Sequence, residues 1–477
     1  MSGPLWAASL PVTPPPVLRE FRAAWMTCVA TNPDWPSRPG LTVARQQAEL
    51  IALLDRAKQL HLNAVIFQVR PACNAMYASR IEPWCESLSG VQGQPPIPFY
   101  DPLAFAIQQA HRRGLELHAW FNPFRAWQPL SKSPPAFNHV SRAHPGFLRK
   151  YGGQLWLDPG EPAVRQYVLN VVMDVVRRYD VDGVTFDDYF YPYPETGADG
   201  ILQFPDYATW KKYGGGLSRA DWRRDNINQF VHGVYQSIKA AKPWVKFGIS
   251  PFGIWRPGYP KGVEGLDAYN TLFADSRLWL ANGWVDYLAP QLYWPIDSPH
   301  QSFPALLDWW HAQNVKHRRL WPGLNAAAVG DRFSAGEFAR QIQLIRSRSR
   351  APGEIFFHLN SLSREPGLFS IIEAQNQEPA LVPASPWLEN AAPAPPKLVI
   401  TSDSRSRVTV RWESAGGPAW LWVLQVLRRD GEWTTEILPG NLSGGVFERK
   451  GTDVICVRAV DRAESSSPVA AIRLDPR

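Results

Sequence analysis

Asp182-Gly183-Val184-Thr185-Phe186-Asp187-Asp188-Tyr189-Phe190-Tyr191-Pro192 runs from apolar residues into two adjacent carboxylates and a tyrosine-rich turn. The span 182–188 is too short for a helix and reads as a buried strand. Side chains alternate along a strand. Val184 and Phe186 share one face, and Gly183, Thr185 and Asp187 share the other. The large apolar pair belongs against covering helices. Asp187 then points inward, and Asp188 points away unless the chain has already turned.

Apolar runs of the same kind recur at 21–28, 63–70, 115–122, 246–252, 286–293, 319–325 and 354–360. Amphipathic helical patterns separate them at 42–61, 102–113, 161–179, 221–241, 271–282, 303–314 and 334–348, with a shorter one near 367–375. Pro162 stands where a first helical turn tolerates it, and Gly114 and Gly283 stand where helices end. Strands alternating with helices make a parallel sheet, and eight of them favour a closed (β/α)8 TIM barrel over an open sheet. The barrel spans residues 19–378. Residues 1–18, with Pro11, Pro14, Pro15 and Pro16, read as an extended arm, and the proline-rich stretch 379–396 reads as a linker. Residues 397–477 change period. Val408-Thr409-Val410-Arg411-Trp412 and Val454-Ile455-Cys456-Val457-Arg458 alternate as half-buried strands do, and the segment reads as a β-sandwich of about seven strands.

Composition narrows the function. The chain has 477 residues, 45% of them hydrophobic, enough for one large domain and a small one. Its net charge of +7 is spread out, and no basic run interleaves with aromatics. That speaks against nucleic acid and leaves a mild attraction to an anionic polymer. The 22 Trp either pack a large barrel or offer flat faces to sugar rings. Cys28, Cys73, Cys85 and Cys456 form no CxxC pair, which argues against structural zinc. Cys73 and Cys85 share one loop, and are either a disulfide of an exported protein or free buried thiols. No stretch is apolar enough to span a membrane as a helix. Met1 to Leu10 is too short and too weakly apolar for a signal peptide, so either the protein stays inside or this sequence lacks its leader.

Active sites of these barrels lie at the C-terminal strand ends. The alternation test sends Gln68 and Arg70 inward from the second strand, and Glu116, His118, Trp120 and Asn122 from the third. It sends Ser250 inward from the fifth, Gln291 and Tyr293 from the sixth, Asn325 from the seventh, and His358 and Asn360 from the eighth. The first strand has no clear parity. Arg70, His118, Trp120, Asn122, Asp187, Gln291, Tyr293, Asn325, His358 and Asn360 therefore collect at the barrel mouth. Each alone fits a satisfied buried network. Together, amides that read hydroxyls and rings that pack on sugar C–H groups suit a polyhydroxylated ligand. His118 and His358 lie on distant strands, so no metal cluster forms, and no cofactor is implied.

The 182–192 motif resembles the bacterial glycosyl hydrolase-like family 10. Arg22-Ala23-Ala24-Trp25, Glu82-Pro83-Trp84, His118-Ala119-Trp120-Phe121-Asn122-Pro123, Trp222-Arg223-Arg224-Asp225-Asn226, Ser250-Pro251-Phe252-Gly253-Ile254-Trp255-Arg256 and Pro290-Gln291-Leu292-Tyr293-Trp294 agree with it, over roughly residues 19–375. The resemblance implies a barrel glycosidase of the cell envelope that cuts peptidoglycan glycan strands, including strands stripped of peptides. It adds Tyr189 and Trp294 to the substrate-binding set. The pattern around Trp412 and Val457-Arg458-Ala459-Val460-Asp461 resembles a fibronectin type III domain, expected to act as a spacer or to dock on glycan or protein.

Glycoside hydrolysis ordinarily uses two carboxylates. Asp187 is the expected nucleophile or base. The fifth and sixth strands end without an acid, which leaves Asp188 and Glu82 as partners. Glu82 precedes Pro83-Trp84, whose ring can desolvate it and raise its pKa. Asp188 alternatively holds a loop. Arg70 and Arg125 either clamp an anionic group, such as the lactyl carboxylate of muramic acid, or Arg70 pairs with the aspartates. Two other readings stay open: a non-catalytic glycan-binding barrel, motivated by the missing second acid, and an α-glucan-type hydrolase.

Overall fold

The eight expected strands are all present and run parallel. They are β1 (Phe21–Met26), β2 (Ala64–Arg70), β3 (Glu116–Phe121), β4 (Gly183–Phe186), β5 (Lys246–Ile249), β6 (Tyr287–Leu288), β7 in two pieces (Arg319–Leu320 and Gly323–Leu324) and β8 (Gly353–Phe356). The computed structural model describes residues 13–29, 33–364, 366–388 and 391–475. It divides into two units, Glu20–Gln377 and a second made of residues up to Arg19 together with Glu378 onward.

The strands pair in chain order from β1 to β6, and β1 also pairs with β8. The seventh strand closes the ring. Its first piece pairs with β6 and its second with β8. Across the Trp321-Pro322 break the ladder continues, because Trp321 N–H donates to Leu288 C=O at 3.0 Å and Ile355 N–H to Pro322 C=O at 3.1 Å. A closed barrel has no free edge.

Helices cover the outside: α1 (Val43–Gln59), α2 (Pro102–His111), α3 (Pro162–Arg178), α4 (Arg219–Ala241), α5 (Ser276–Asn282), α6 (Phe303–Gln313), α7 (Ala335–Arg348) and α8 (Pro366–Gln375). Their local chemistry explains their limits. Asp101 Oδ1 accepts from the N–H groups of Leu103 and Ala104 to cap α2, and Pro102 and Pro162 open their helices. Leu50, Leu53, Leu54 and Ala57 form the buried stripe of α1. The helix expected over 271–282 starts only at Ser276. Phe273 takes a left-handed φ of 52°, and Asp275 caps the new start. The long loop after β3 carries a small antiparallel sheet, Arg125–Trp127, Leu148–Tyr151 and Gln154–Leu157, which its sequence does not announce.

The barrel interior is layered by the alternation of β3. Glu116 lies deepest, and its carboxylate takes both Lys246 and His118 Nε2. Above it His118 Nδ1 meets Tyr287 OH at 2.8 Å, and Phe21 stacks on Trp321 at 4.0 Å between centroids. Glycines make this aromatic layer possible. A Cβ on Gly248 would lie 2.0 Å from the Tyr287 ring, and one on Gly183 would lie 2.5 Å from His118 Nδ1.

Among the described residues the second unit holds seven strands: β9 (Lys397–Asp403), β10 (Arg407–Glu413), β11 (Leu421–Arg428), β12 (Trp433–Pro439), β13 (Gly444–Glu448), β14 (Thr452–Val460) and β15 (Ala470–Arg473). They form two antiparallel sheets, β9-β10-β13 and β12-β11-β14-β15, around Val408, Val410, Trp412, Trp422, Ile455 and Val457. Residues 13–18 of the expected arm, Arg19 from the expected start of the barrel, and much of the expected linker pack into this unit. Gln425 Nε2 donates to Pro15 C=O at 2.9 Å, Arg19 Nη1 donates to Val382 C=O at 2.9 Å, and Leu381 joins Leu421, Val423, Ile437 and Val460. Proline content marks these segments as non-helical, but their apolar side chains still find a sheet to cover. The first twelve residues, including Met1 to Leu10, lie outside the described residues.

Gly248→Ala tests the packed floor of the barrel. It should lower the unfolding free energy in urea by about 1–3 kcal/mol, because a rigid aromatic layer cannot yield to the added methyl. An unchanged midpoint would contradict this packing.

Candidate active site

β4 ends at Phe186, and alternation lapses there. Phe186 is the last residue in register with Phe121 and Ile249, and the chain turns so that Phe190 N–H donates to Asp188 C=O at 2.9 Å. Asp187 and Asp188 consequently both line one cavity of about 290 Å³ at the C-terminal strand ends. The strict alternation that sends Asp188 outward fails because pairing has stopped.

Strand ends supply the rest of the wall. Trp25, Thr27 and Val29 follow or end β1, and Gln68 comes from β2. Trp120, Asn122 and Arg125 come from β3 and its loop, and Tyr189 and Tyr193 from the β4 loop. Ser250, Gln291, Tyr293 and Phe357 complete it. Asp187 Oδ2 accepts from Trp120 Nε1 at 2.9 Å and from Asn122 Nδ2, and Oδ1 accepts from Tyr189 N–H at 3.3 Å. Gln68 orients Asn122 by donating to its Oδ1 at 2.8 Å, and is itself fixed by Cys28 N–H at 3.0 Å. Asp188 accepts from Tyr193 OH and from the Gln291 side chain. The Arg125 guanidinium lies 3.9 Å from the centre of the Tyr189 ring, a cation–π contact that leaves its charge near both aspartates.

Several expected mouth residues sit elsewhere. Arg70 does not reach the aspartates. It grips Glu82 with two bonds, Nη2–Oε1 at 2.6 Å and Nε–Oε2 at 2.8 Å, and both side chains are fully buried. Tyr167 OH donates to the same Glu82 carboxylate at 2.9 Å. Glu82 is therefore an ion-pair anchor outside the cavity wall, and Trp84, which was to desolvate it, packs on Phe99 instead. The bulge between Gln68 and Arg70 in the β2–β3 pairing is what turns Arg70 aside. His118 lies one layer below the cavity. Asn325 is half-buried off the cavity wall, and its Oδ1 has no hydrogen-bond partner among the described residues. Trp294 packs edge-on against Phe252, away from the cavity wall. His358 and Asn360 belong to a hub that alternation cannot show. Asp34 Oδ1 meets His358 Nδ1 and accepts from Asn360 N–H, both at 2.7 Å, while its Oδ2 accepts from Thr27 N–H at 2.8 Å. All four cysteines are buried free thiols. Cys85 neighbours Cys28, and Cys73 lies against Arg70, so the Cys73–Cys85 pairing is not formed.

Trp25, Tyr193 and Phe357 escaped the sequence reading. Trp25 sits in the strand whose parity is ambiguous. Tyr193 lies one residue beyond the run that the acid pair opens, which the sequence reading ends at Pro192.

The profile described as Glycosyl hydrolase-like 10 matches residues 20–336. The chain belongs to the glycosyl hydrolase-like 10 family. It is similar to Glycosyl hydrolase YngK of Bacillus subtilis (strain 168), with 42% identity over 405 residues covering 81% of this chain and 78% of that protein. It is also similar to Glycosyl hydrolase DigH of Escherichia coli (strain K12), with 38% identity over 347 residues covering 67% and 76% of the two chains. Among solved structures, the PgaB (BpsB) glycoside hydrolase domain from Bordetella bronchiseptica covers 75% of this chain and 98% of its own at 15% identity, with a TM-score of 0.47. As a glycosyl hydrolase-like 10 member the chain is a glycoside hydrolase, and the aspartate cavity is the site to explain.

Burial raises both carboxyls of the pair in this family member. Burial and the neighbouring Asp188 carboxylate push Asp187 up to about 7, against the pull of Arg125, Trp120 and the Tyr189 N–H. Burial raises Asp188 as well, against its bonds from Tyr193 and Gln291.

A raised carboxyl pKa is destabilising above its unfolded value. The folded chain holds the Asp187 proton up to about pH 7, whereas an unfolded Asp releases it near about pH 3.9. Stability falls as pH rises through that window. Asp187→Asn removes the slope. It should match wild type below about pH 4 and exceed it above pH 7, by at most about 4 kcal/mol. Urea denaturation across pH reads this, and parallel wild-type and variant curves would refute the raised pKa.

Proposed function

We propose that this glycoside hydrolase cleaves glycosidic bonds within bacterial cell-wall polysaccharide, most specifically peptidoglycan glycan strands, with Asp187 as the group that moves the proton. The observation that carries this reading is the pair of buried carboxylates in a cavity walled by indoles, phenols and amides. Such walls stack on sugar faces and bond hydroxyl or acetamido groups. A carboxyl titrating near neutrality is suited to give a proton to a leaving oxygen and take one from water. On this reading Asp187 acts as acid and base, a different role from the nucleophile or base expected from the sequence.

The motif resemblance points to the envelope or the cell exterior as the place of action. The sheet order of the second unit, three strands against four, supports the fibronectin type III reading and a docking or spacing role.

Chromatography of products from purified glycan strands, chitin-like oligomers and α-glucans tests the reading. Glycan strands should be cut. Asp187→Asn should slow the cut by about 10²–10⁴-fold without loss of fold. Products from α-glucan alone, or a fully active variant, would overturn it.

A further inference from the structure

The cavity poses a chemical problem. Among the described residues, Asp187 and Asp188 are its only carboxylates. Glycosidases that carry their own nucleophile or base place two carboxylates on opposite faces of the sugar, about 5–5.5 Å apart for retention and about 6.5–9.5 Å for inversion. Here the two are successive residues behind one strand, β4. The strands across the barrel, β8 and β1, contribute Phe357, Trp25 and Thr27 to the wall and no acid. Glu82, the remaining candidate, is locked on Arg70 outside the cavity.

A second, independent observation comes from that opposite wall. The indole N–H of Trp25 is buried and has no hydrogen-bond partner among the described residues. Trp25 is 3% exposed, lines the cavity and packs edge-on against Trp120 at 4.8 Å. Trp120 spends its own N–H on Asp187, so Trp25 is left as a donor awaiting an acceptor. A secondary amide presents N–H on one edge and C=O on the other. A carboxylate behind β4 and a donor from β1 match those two edges. Asp188 already accepts from Tyr193 and Gln291, which orient its carboxyl as an acceptor.

Resting on the reading of a cell-wall glycan as substrate, we propose that the nucleophile belongs to the substrate: the carbonyl oxygen of its 2-acetamido group attacks C1, while Asp188 holds the acetamido N–H, Trp25 seats the carbonyl and Asp187 is acid, then base. In the first step the C1–O bond to the leaving sugar breaks and Asp187 gives its proton to that oxygen. The acetamido oxygen closes on C1 to form an oxazolinium ion, whose N–H stays on Asp188. In the second step Asp187 takes a proton from water, the water oxygen bonds to C1, and the ring opens to restore the acetamido group. Two displacements at C1 retain its configuration.

The test uses the full chain and defined muropeptide-free oligosaccharides whose cleaved sugar carries N-acetyl, N-fluoroacetyl, N-difluoroacetyl or N-trifluoroacetyl. Each fluorine weakens the carbonyl oxygen as a nucleophile. kcat should fall stepwise along the series, and the product anomer read by NMR should be retained. A thiazoline analogue of the oxazolinium should bind at least about 10²-fold tighter than the parent sugar. Trp25→Phe should lose most of that thiazoline advantage while keeping ring packing. Equal rates across the series, an inverted anomer, or a sugar ester isolated on Asp187 or Asp188 would overturn the proposal. Cleavage of chitin-like oligomers with the same fluorine dependence, and none of peptidoglycan strands, would sink the substrate reading alone. Cleavage only of glycans without an acetamido group would sink both.

Discussion

Closure of the barrel through the broken seventh strand is the constraint on which the molecule depends. With β6 bonded on one side of Trp321-Pro322 and β8 on the other, every strand has two neighbours. All eight C-terminal ends then lie on one rim, and inward side chains fall into layers. The aromatic layer of Phe21, His118, Tyr287 and Trp321 fills the interior below the cavity, and it fits only because Gly183 and Gly248 leave room. The cavity is thus a shallow cup on a solid plug rather than a channel.

Charge is handled differently at the two depths. Below and beside the cavity, two buried carboxylates are matched: Glu116 with Lys246 and His118, and Glu82 with Arg70. At the mouth, two carboxylates share one guanidinium and several neutral donors. Like charges in a dry site resist ionisation together. The matched pairs hold structure, and the mismatched pair is the one that burial and mutual repulsion push up within the cavity.

The strand–helix alternation, the eightfold count and the inward set of β3 were legible because burial on both faces makes a strand's apolar period unmistakable. Glu116, His118, Trp120 and Asn122 do point inward in successive layers. Depth was less legible, since alternation tells which face a residue takes and not whether it meets plug or cavity. His118 shows this. Arg70 was misplaced because a single bulge shifts parity, and a bulge leaves no mark in composition. The direction of Asp188 stayed open because a strand's end cannot be fixed to the residue from sequence alone. The Asp34 hub joins residues more than three hundred positions apart in the chain, which no local pattern reports.

The Arg70–Glu82 anchor reaches beyond stability. Arg70 also donates to the carbonyls of Asn122 and Pro123, at 2.7 and 3.0 Å, so one side chain ties the second loop to the turn that carries Asn122. Loops of such barrels are usually regarded as exchangeable parts on an indifferent scaffold. In this chain the second loop and the third strand end are heritable only together. A loop arriving from a relative without its own Glu82 equivalent would strand a buried cation and misaim the amide that faces Asp187. Exchange of the loops this anchor leaves untied carries no such penalty.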